Sequence, residues 1–119
     1  MNICVVEDYE GRIEAFELLL HPHNLTICRN AAEGKRAVRE TLFDLIFLDH
    51  DLGDEEDNSG FWVAKSITSG LNDSTPVVIH SMNPVGAENI FNQLRYNPKV
   101  KLPFSAIRLD ILDTKPWIR

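Results

Sequence analysis

The chain has 119 residues, 44% hydrophobic and 25% charged, enough for one domain around a single core and too few for two. A formal charge of -6 speaks against a general affinity for nucleic-acid backbone, which needs clustered lysine and arginine. No apolar run nears the ~18 residues that a membrane span requires, so no membrane contact is expected.

Met1 leads straight into a strand-like segment without the basic start and long apolar stretch of a signal peptide, and the expected compartment is the cytoplasm. Cys4 and Cys28 fall inside apolar runs and read as reduced core residues. "NICVV" (2 to 6) predicts the first strand. "GRIEAFELLL" (11 to 20) sets Ile13, Phe16, Leu19 and Leu20 at helical spacing before Pro22. "LTICR" (25 to 29) predicts the second strand, and Asn30 caps the amphipathic helix "AAEGKRAVRETL". "FDLIFLD" (43 to 49) is apolar at nearly every position, as expected of a central parallel strand covered on both faces.

Ser59 then caps "SGFWVAKSITSG", "PVVIHS" predicts the fourth strand, and "GAENIFNQLRY" the next helix, stopped by Asn97 and Pro98. "FSAIRLDI" (104 to 111) is read as the fifth strand. The tail from 111 to 119 is either a short packed end or a frayed one. This alternation predicts an α/β fold, a doubly wound parallel five-stranded sheet of flavodoxin-like order 2-1-3-4-5 with helices on both faces. Its ligands would bind beyond the carboxyl ends of the strands.

Those ends carry the chemistry. The first strand ends in Glu7 and Asp8, the third in Asp49, His50 and Asp51, and the fourth in His80, Ser81 and Asn83. Carboxylates gathered there raise one another's pKa unless a cation compensates. A hard divalent ion, Mg2+ or Mn2+, held by Glu7, Asp8 and Asp49 would do so and leave positions for a phosphate group. His80 can donate or accept a proton near neutral pH, and the Ser81 hydroxyl and Asn83 amide can hydrogen-bond a phosphoryl or ribose oxygen. His50, between two aspartates, reads equally as a backbone-bonded residue or an active-site one. "GDEEDNSG" lacks the spacing of a calcium loop and is read as a solvated acidic loop. No phosphate-loop, dinucleotide-binding, CxxC or HExxH pattern is present.

In this order the features resemble the receiver domains of two-component response regulators over residues 2 to 110. The resemblance implies that Glu7 and Asp8 correspond to the metal-binding acids, Asp49 to the phosphoacceptor and Ser81 to the switch hydroxyl. A receiver also carries a lysine followed by proline at strand five. Here "FSAIRLDI" offers only Arg108, and "KLPF" from Lys101 is displaced. A closer resemblance is to the cyclic-phosphate processing receiver domains, through "LDHDLG" (48 to 53), "GF" (60 and 61) and "HSMNPVG" (80 to 86). It implies a single receiver-like domain over 1 to 119 that binds a divalent metal and processes a phosphoester, such as a cyclic phosphate on a nucleotide or RNA end. Asp49, His80 and His50 would be the catalytic residues, with Ser81, Asn83 and Arg108 binding substrate. A stand-alone receiver phosphorylated on Asp49 that switches a partner's binding, and a catalytically silent nucleotide-binding module, are the alternatives. The protein partner is not legible.

Overall fold

The computed structural model describes residues 1–53 and 57–118. Its elements are β1 (Asn2–Val6), α1 (Glu10–Leu19), β2 (Asn24–Cys28), α2 (Ala31–Glu40), β3 (Leu45–Leu48), α3 (Gly60–Thr68), β4 (Val77–Ile79), α4 (Pro84–Gln93), β5 (Lys99–Lys101) and α5 (Ile111–Thr114). All strand pairs are parallel, in the order β2-β1-β3-β4-β5. The flavodoxin-like order predicted from the alternation of strands and helices is therefore the observed one.

Alternation along the strands divides the core into two layers. Cys4, Val6, Ile46, Leu48, Val77 and Ile79 face α2, α3 and α4 together with Val38, Val63, Ala64 and Ile90. Ile3, Val5, Leu45, Phe47 and Val78 face the other way, onto Phe16 and Leu20 of α1 and onto Ile107, Ile111 and Trp117. Every residue of β3 is fully buried, as a strand covered on both faces must be. Phe16 stacks at 5.0 Å from Phe47 and 5.3 Å from Phe104. Truncating a buried aromatic of this kind costs ~3–5 kcal/mol. Both cysteines are free and buried in the first layer, as the sequence implied.

The sequence misplaces the fifth strand. β5 is Lys99–Lys101, a three-residue edge whose lysines suit an exposed margin, and "FSAIRLDI" is not a strand. Its residues 104 to 106 form one 3-10 turn after Pro103. The apolar residues Phe104, Ile107 and Ile111 recur at intervals of three and four, a helical spacing that lays them all on the same core layer. The tail is packed: α5 ends at Lys115 in the left-handed region (φ 46°), and Trp117 is buried beyond it. The acidic loop expected at "GDEED" lies for the most part outside the described residues, since 54 to 56 are among those not described.

At the amino edge of the sheet a buried amide network joins the loops. Asn72 accepts from the Phe43 N–H and the Thr75 hydroxyl, and donates to the carbonyls of Val38 and Thr41. Asn97 donates in turn to the carbonyls of Asn72 and Thr75. Both asparagines are buried, so these bonds fix the loops entering β3, β4 and β5. No helix among the described residues is long and apolar enough to cross a membrane.

Candidate functional site

The opposite edge of the sheet brings Glu7, Asp49 and His80 together from β1, β3 and β4. One ligand atom from each lies within 4.8 Å of the others. Parallel pairing causes this: the Glu7, Asp49 and His80 N–H groups continue the ladder onto the carbonyls of Cys28, Val6 and Leu48, so the three residues leave the sheet at nearly the same level.

Glu7 is fully buried and saturated with donors. Its Oε1 accepts from Arg12 Nε at 2.8 Å and from His80 Nε2 at 3.0 Å. Its Oε2 accepts from Arg12 Nη2 at 3.1 Å and from the N–H groups of Asp8 and Tyr9, each at 3.0 Å. Burial alone would raise its pKa, but the hydrogen bonds from His80, Arg12 and the Tyr9 N–H outweigh it and bring the carboxyl down to about 2. His80 therefore presents a protonated Nε2 to an ionised Glu7, while its Nδ1 is buried without a partner among the described residues. Its ring packs edge-on against Phe16 at 5.1 Å, and only 1% of the residue is exposed.

Asp49 is placed differently. It is 4% exposed, and its nearest cation, Arg12 Nη2, lies 3.7 Å from Oδ2, beyond hydrogen-bond length. Burial and then the Glu7 charge push its pKa up to about 6, against the opposing pull of His80 and Arg12. Asp8 is exposed at the margin, its pKa raised by partial burial and by Glu7, and it is not one of the three clustered groups.

The His50 side chain belongs to a second network. Its Nδ1 lies 2.8 Å from Asp51 Oδ1, which also accepts from Asn83 Nδ2 at 3.3 Å. Asn83 is the N-cap of α4, its Oδ1 accepting the Gly86 N–H, and its own N–H donates to Ser81 Oγ. That bond leaves the Ser81 O–H free to donate elsewhere. His50, Asp51, Phe61, Trp62 and Asn89 line a cleft of about 620 Å³.

Two glycines make this arrangement possible. A Cβ on Gly60 would lie 2.0 Å from the Asp49 carbonyl oxygen, and one on Gly86 would lie 2.4–2.7 Å from three atoms of the His50 ring. The start of α3 is drawn against the loop after β3, with Gly60 N–H donating to the His50 carbonyl and Asp51 bridging to Ser59. Ser59 holds the N-cap position as expected, without a side-chain cap bond.

The sequence reading named two cations, Arg108 and Lys101, and neither pairs with Glu7, Asp49 or His80 among the described residues. Arg108 lines a shallow depression with Leu19, Ser105 and Leu109, beside the far end of α1. Leu19 lies about one turn beyond Phe16, the α1 residue that packs on His80. Among the described residues no hydrogen bond or ion pair joins Arg108 to Glu7, Asp49 or His80. Lys101 closes β5 but pairs with Glu88 and lies 5.0 Å over the Phe91 ring, both on α4. Arg12 is the cation the sequence reading missed. It sits in the first turn of α1 where a solvent-facing arginine is ordinary, and a five-residue separation from Glu7 across a strand-to-helix turn matches no standard pairing pattern.

The donor set suits a hard divalent ion in part. Two carboxylates converge, with a third beside them, and Asp49 is the one that is buried yet poorly supplied with donors. Glu7 already has its oxygens engaged, and His80 spends its Nε2 on Glu7.

The profile of the family described as "Cyclic-phosphate processing Receiver domain" matches residues 3–96. No curated protein matches the chain. Among solved structures, it is similar to the receiver domain of a Pseudomonas aeruginosa sensor histidine kinase "with magnesium ion coordinated in the active site cleft". That match has 18% identity and a TM-score of 0.75, covering 96% of this chain and 92% of that one. It is also similar to the N-terminal domain of a response regulator/sensory box/GGDEF protein from Carboxydothermus hydrogenoformans (22% identity, TM-score 0.73, 96% and 89% covered). A CheY-like response regulator receiver domain from Methanospirillum hungatei matches at 16% identity and TM-score 0.69, with 96% and 88% covered. These likenesses show the fold, and the profile match spans most of the chain; the protein belongs to the family of cyclic-phosphate processing receiver domains.

Proposed function

We propose that the protein is a metal-dependent phosphoesterase acting on a cyclic phosphate carried by a nucleotide or an RNA end. The observation that carries this reading is the pairing, at one strand end, of a buried, donor-poor Asp49 with a carboxylate-oriented histidine in the next residue, His50. Asp49, and Asp8 beyond the end of β1, are the carboxylates with acceptor capacity to hold Mg2+ or Mn2+, which when bound would neutralise charge on the phosphate. Glu7, filled by Arg12 and His80, anchors the floor of the site.

His80, sealed behind Glu7 and Phe16, orients that carboxylate and has no route to a substrate proton. His50 is the better acid–base group: its side chain is 20% exposed, with Asp51 fixing Nδ1 so that Nε2 is left for substrate or water. The Ser81 O–H would hydrogen-bond a phosphoryl oxygen, while Asn83 holds Asp51 and caps α4. In the reaction water adds to phosphorus, the bond to one ribose oxygen breaks, and that oxygen takes a proton, giving a ribose monophosphate. The test is hydrolysis of 2',3'-cyclic nucleotides with metal present. Loss of the rate in His50→Ala and in Asp49→Asn supports the reading, and wild-type rates equal to those of both variants overturn it.

The same donor-poor Asp49 favours a second reading, a receiver that accepts a phosphoryl group there and switches partner binding. The engagement of Lys101 by Glu88 and the Phe91 ring of α4 weighs against it, since the lysine at the end of β5 is then turned away from an acyl phosphate. Intact-mass measurement after incubation with a small phosphodonor separates the two: a stable adduct on Asp49 supports the switch, and turnover of unmodified protein supports the enzyme.

A further inference from the structure

We infer that Arg12 is the phosphoryl-oxygen clamp of this site, a guanidinium held by Glu7 with its remaining N–H groups aimed past Asp49. The inference rests on the reading of Asp49 as the centre of a phosphate site. A guanidinium has five N–H donors in a rigid plane. Arg12 directs Nε at 2.8 Å to Glu7 Oε1 and Nη2 at 3.1 Å to Oε2. This two-point fork uses two of the five donors and fixes the plane of the group. A third, the other Nη2 hydrogen, is on the nitrogen 3.7 Å from Asp49 Oδ2, too long for a bond to that oxygen. Nη1 has no hydrogen-bond partner among the described residues.

The Arg12 side chain is 29% exposed, while the Glu7 side chain that anchors it is fully buried. The Tyr9 ring, 4.9 Å from Cζ, supports the guanidinium. A structural ion pair would be complete with Glu7 alone; here the anchor leaves an unfilled half of the group beside a second carboxylate, which takes a backbone hydrogen bond at Asp51 and none from Arg12. An oxyanion seated next to Asp49 would meet that half with no reorganisation of the arginine, the condition under which such donors contribute most. Lys99 and Lys101 are both turned onto the Phe91 ring, and Arg12 is the cation that pairs with Glu7 and also comes within 4.0 Å of Asp49 among the described residues.

The test measures binding without turnover, so it stands apart from whether any ester is hydrolysed. Wild type, Arg12→Lys and Arg12→Ala are titrated with Mg2+ alone by calorimetry, and with inorganic phosphate at saturating Mg2+ by phosphorus NMR. The clamp requires phosphate affinity to fall about tenfold or more in Arg12→Ala and part-way in Arg12→Lys, the loss expected for charge-assisted hydrogen bonds. Mg2+ affinity is unchanged or tighter, because a nearby positive charge has gone. Equal phosphate binding in all three proteins overturns the inference. So does a parallel loss of Mg2+ and phosphate affinity, which means that Arg12 acts only by holding Glu7. Should Arg12→Ala fail to fold, the lysine variant and the wild-type Arg12 Nε–H resonance carry the test. That resonance must shift on adding phosphate, and an unmoved signal, or no saturable phosphate binding by wild type in the tens-of-millimolar range, overturns the inference as well.

Discussion

Replacing Asp49 with asparagine should stabilise the metal-free protein strongly at pH 8 and much less at pH 4.5. The Asp49 carboxyl is raised from 3.8 to about 6, chiefly by burial and then by Glu7. Between those two values the folded protein holds a proton that the unfolded chain has released. Stability is therefore fullest below the lower value and is lost as pH rises through the higher one. A shift of two units at ~1.4 kcal/mol each gives ~3 kcal/mol lost by pH 8. The side chain is only 5% exposed, so solvent screening takes little from this figure. Asparagine stands in for the protonated form at every pH, and the variant should gain up to ~3 kcal/mol at pH 8, or roughly 10 °C in Tm for a domain of this size. The gain should shrink to ~1 kcal/mol at pH 4.5.

Glu7 has the opposite sign. Its pKa is lowered from 4.5 to about 2, so its contribution is present above 4.5 and lost as pH falls further, which sets the lower limit of the comparison. Urea denaturation with chelator present, at both pH values, reads the difference directly. A variant no more stable than wild type at pH 8, or a gain of equal size at both, would refute the claim that Asp49 carries an uncompensated charge. Mg2+ should then raise the stability of the wild type at pH 8 and not that of Asp49→Asn.

Three further outcomes follow from packing. Gly60→Ala forces a methyl group to 2.0 Å from the Asp49 carbonyl oxygen and should cost ~3 kcal/mol, the upper end for overpacking because backbone must move; Gly11→Ala meets only the exposed Tyr9 ring and should leave Tm nearly unchanged. Asn72→Ala strands four hydrogen-bond partners, in α2, in the loop entering β3 and in its own loop, and should cost ~3 kcal/mol by urea denaturation, while calorimetry finds Mg2+ affinity unaltered because the network lies at the other edge of the sheet. Lys101→Ala should change neither Mg2+ nor phosphate affinity, since that lysine is spent on Glu88 and Phe91; a several-fold drop in phosphate binding would return it to the site.

The sheet order was legible because apolar runs and helical periods alternate cleanly, and β3 announced its central place by having no polar face. The edge strand was not, because three residues with lysine at two positions carry no apolar signature. The pattern in 104 to 111 that looked like a strand belongs to a turn and a short helix lying on the core. At the site, the clustering of Glu7, Asp49 and His80 followed from reading strand ends. The division of labour did not: which carboxylate is saturated depends on Arg12, and which histidine is sealed depends on Phe16, both contacts across the fold. The motif glycines at 60 and 86 were visible as letters, but their reason, an approach to Asp49 and to the His50 ring, exists only in three dimensions.

The amide network of Asn72 and Asn97 bears on how such a protein can change over time. It locks the loops entering three strands at the edge remote from the carboxylates. Stability and chemistry are thereby assigned to opposite ends of the same strands. Substitutions beyond the carboxyl ends, in Asp8, His50 or Ser81, leave untouched the joints that keep the sheet assembled. A lineage carrying this lock is free to explore new substrates at one margin while the other holds the architecture constant.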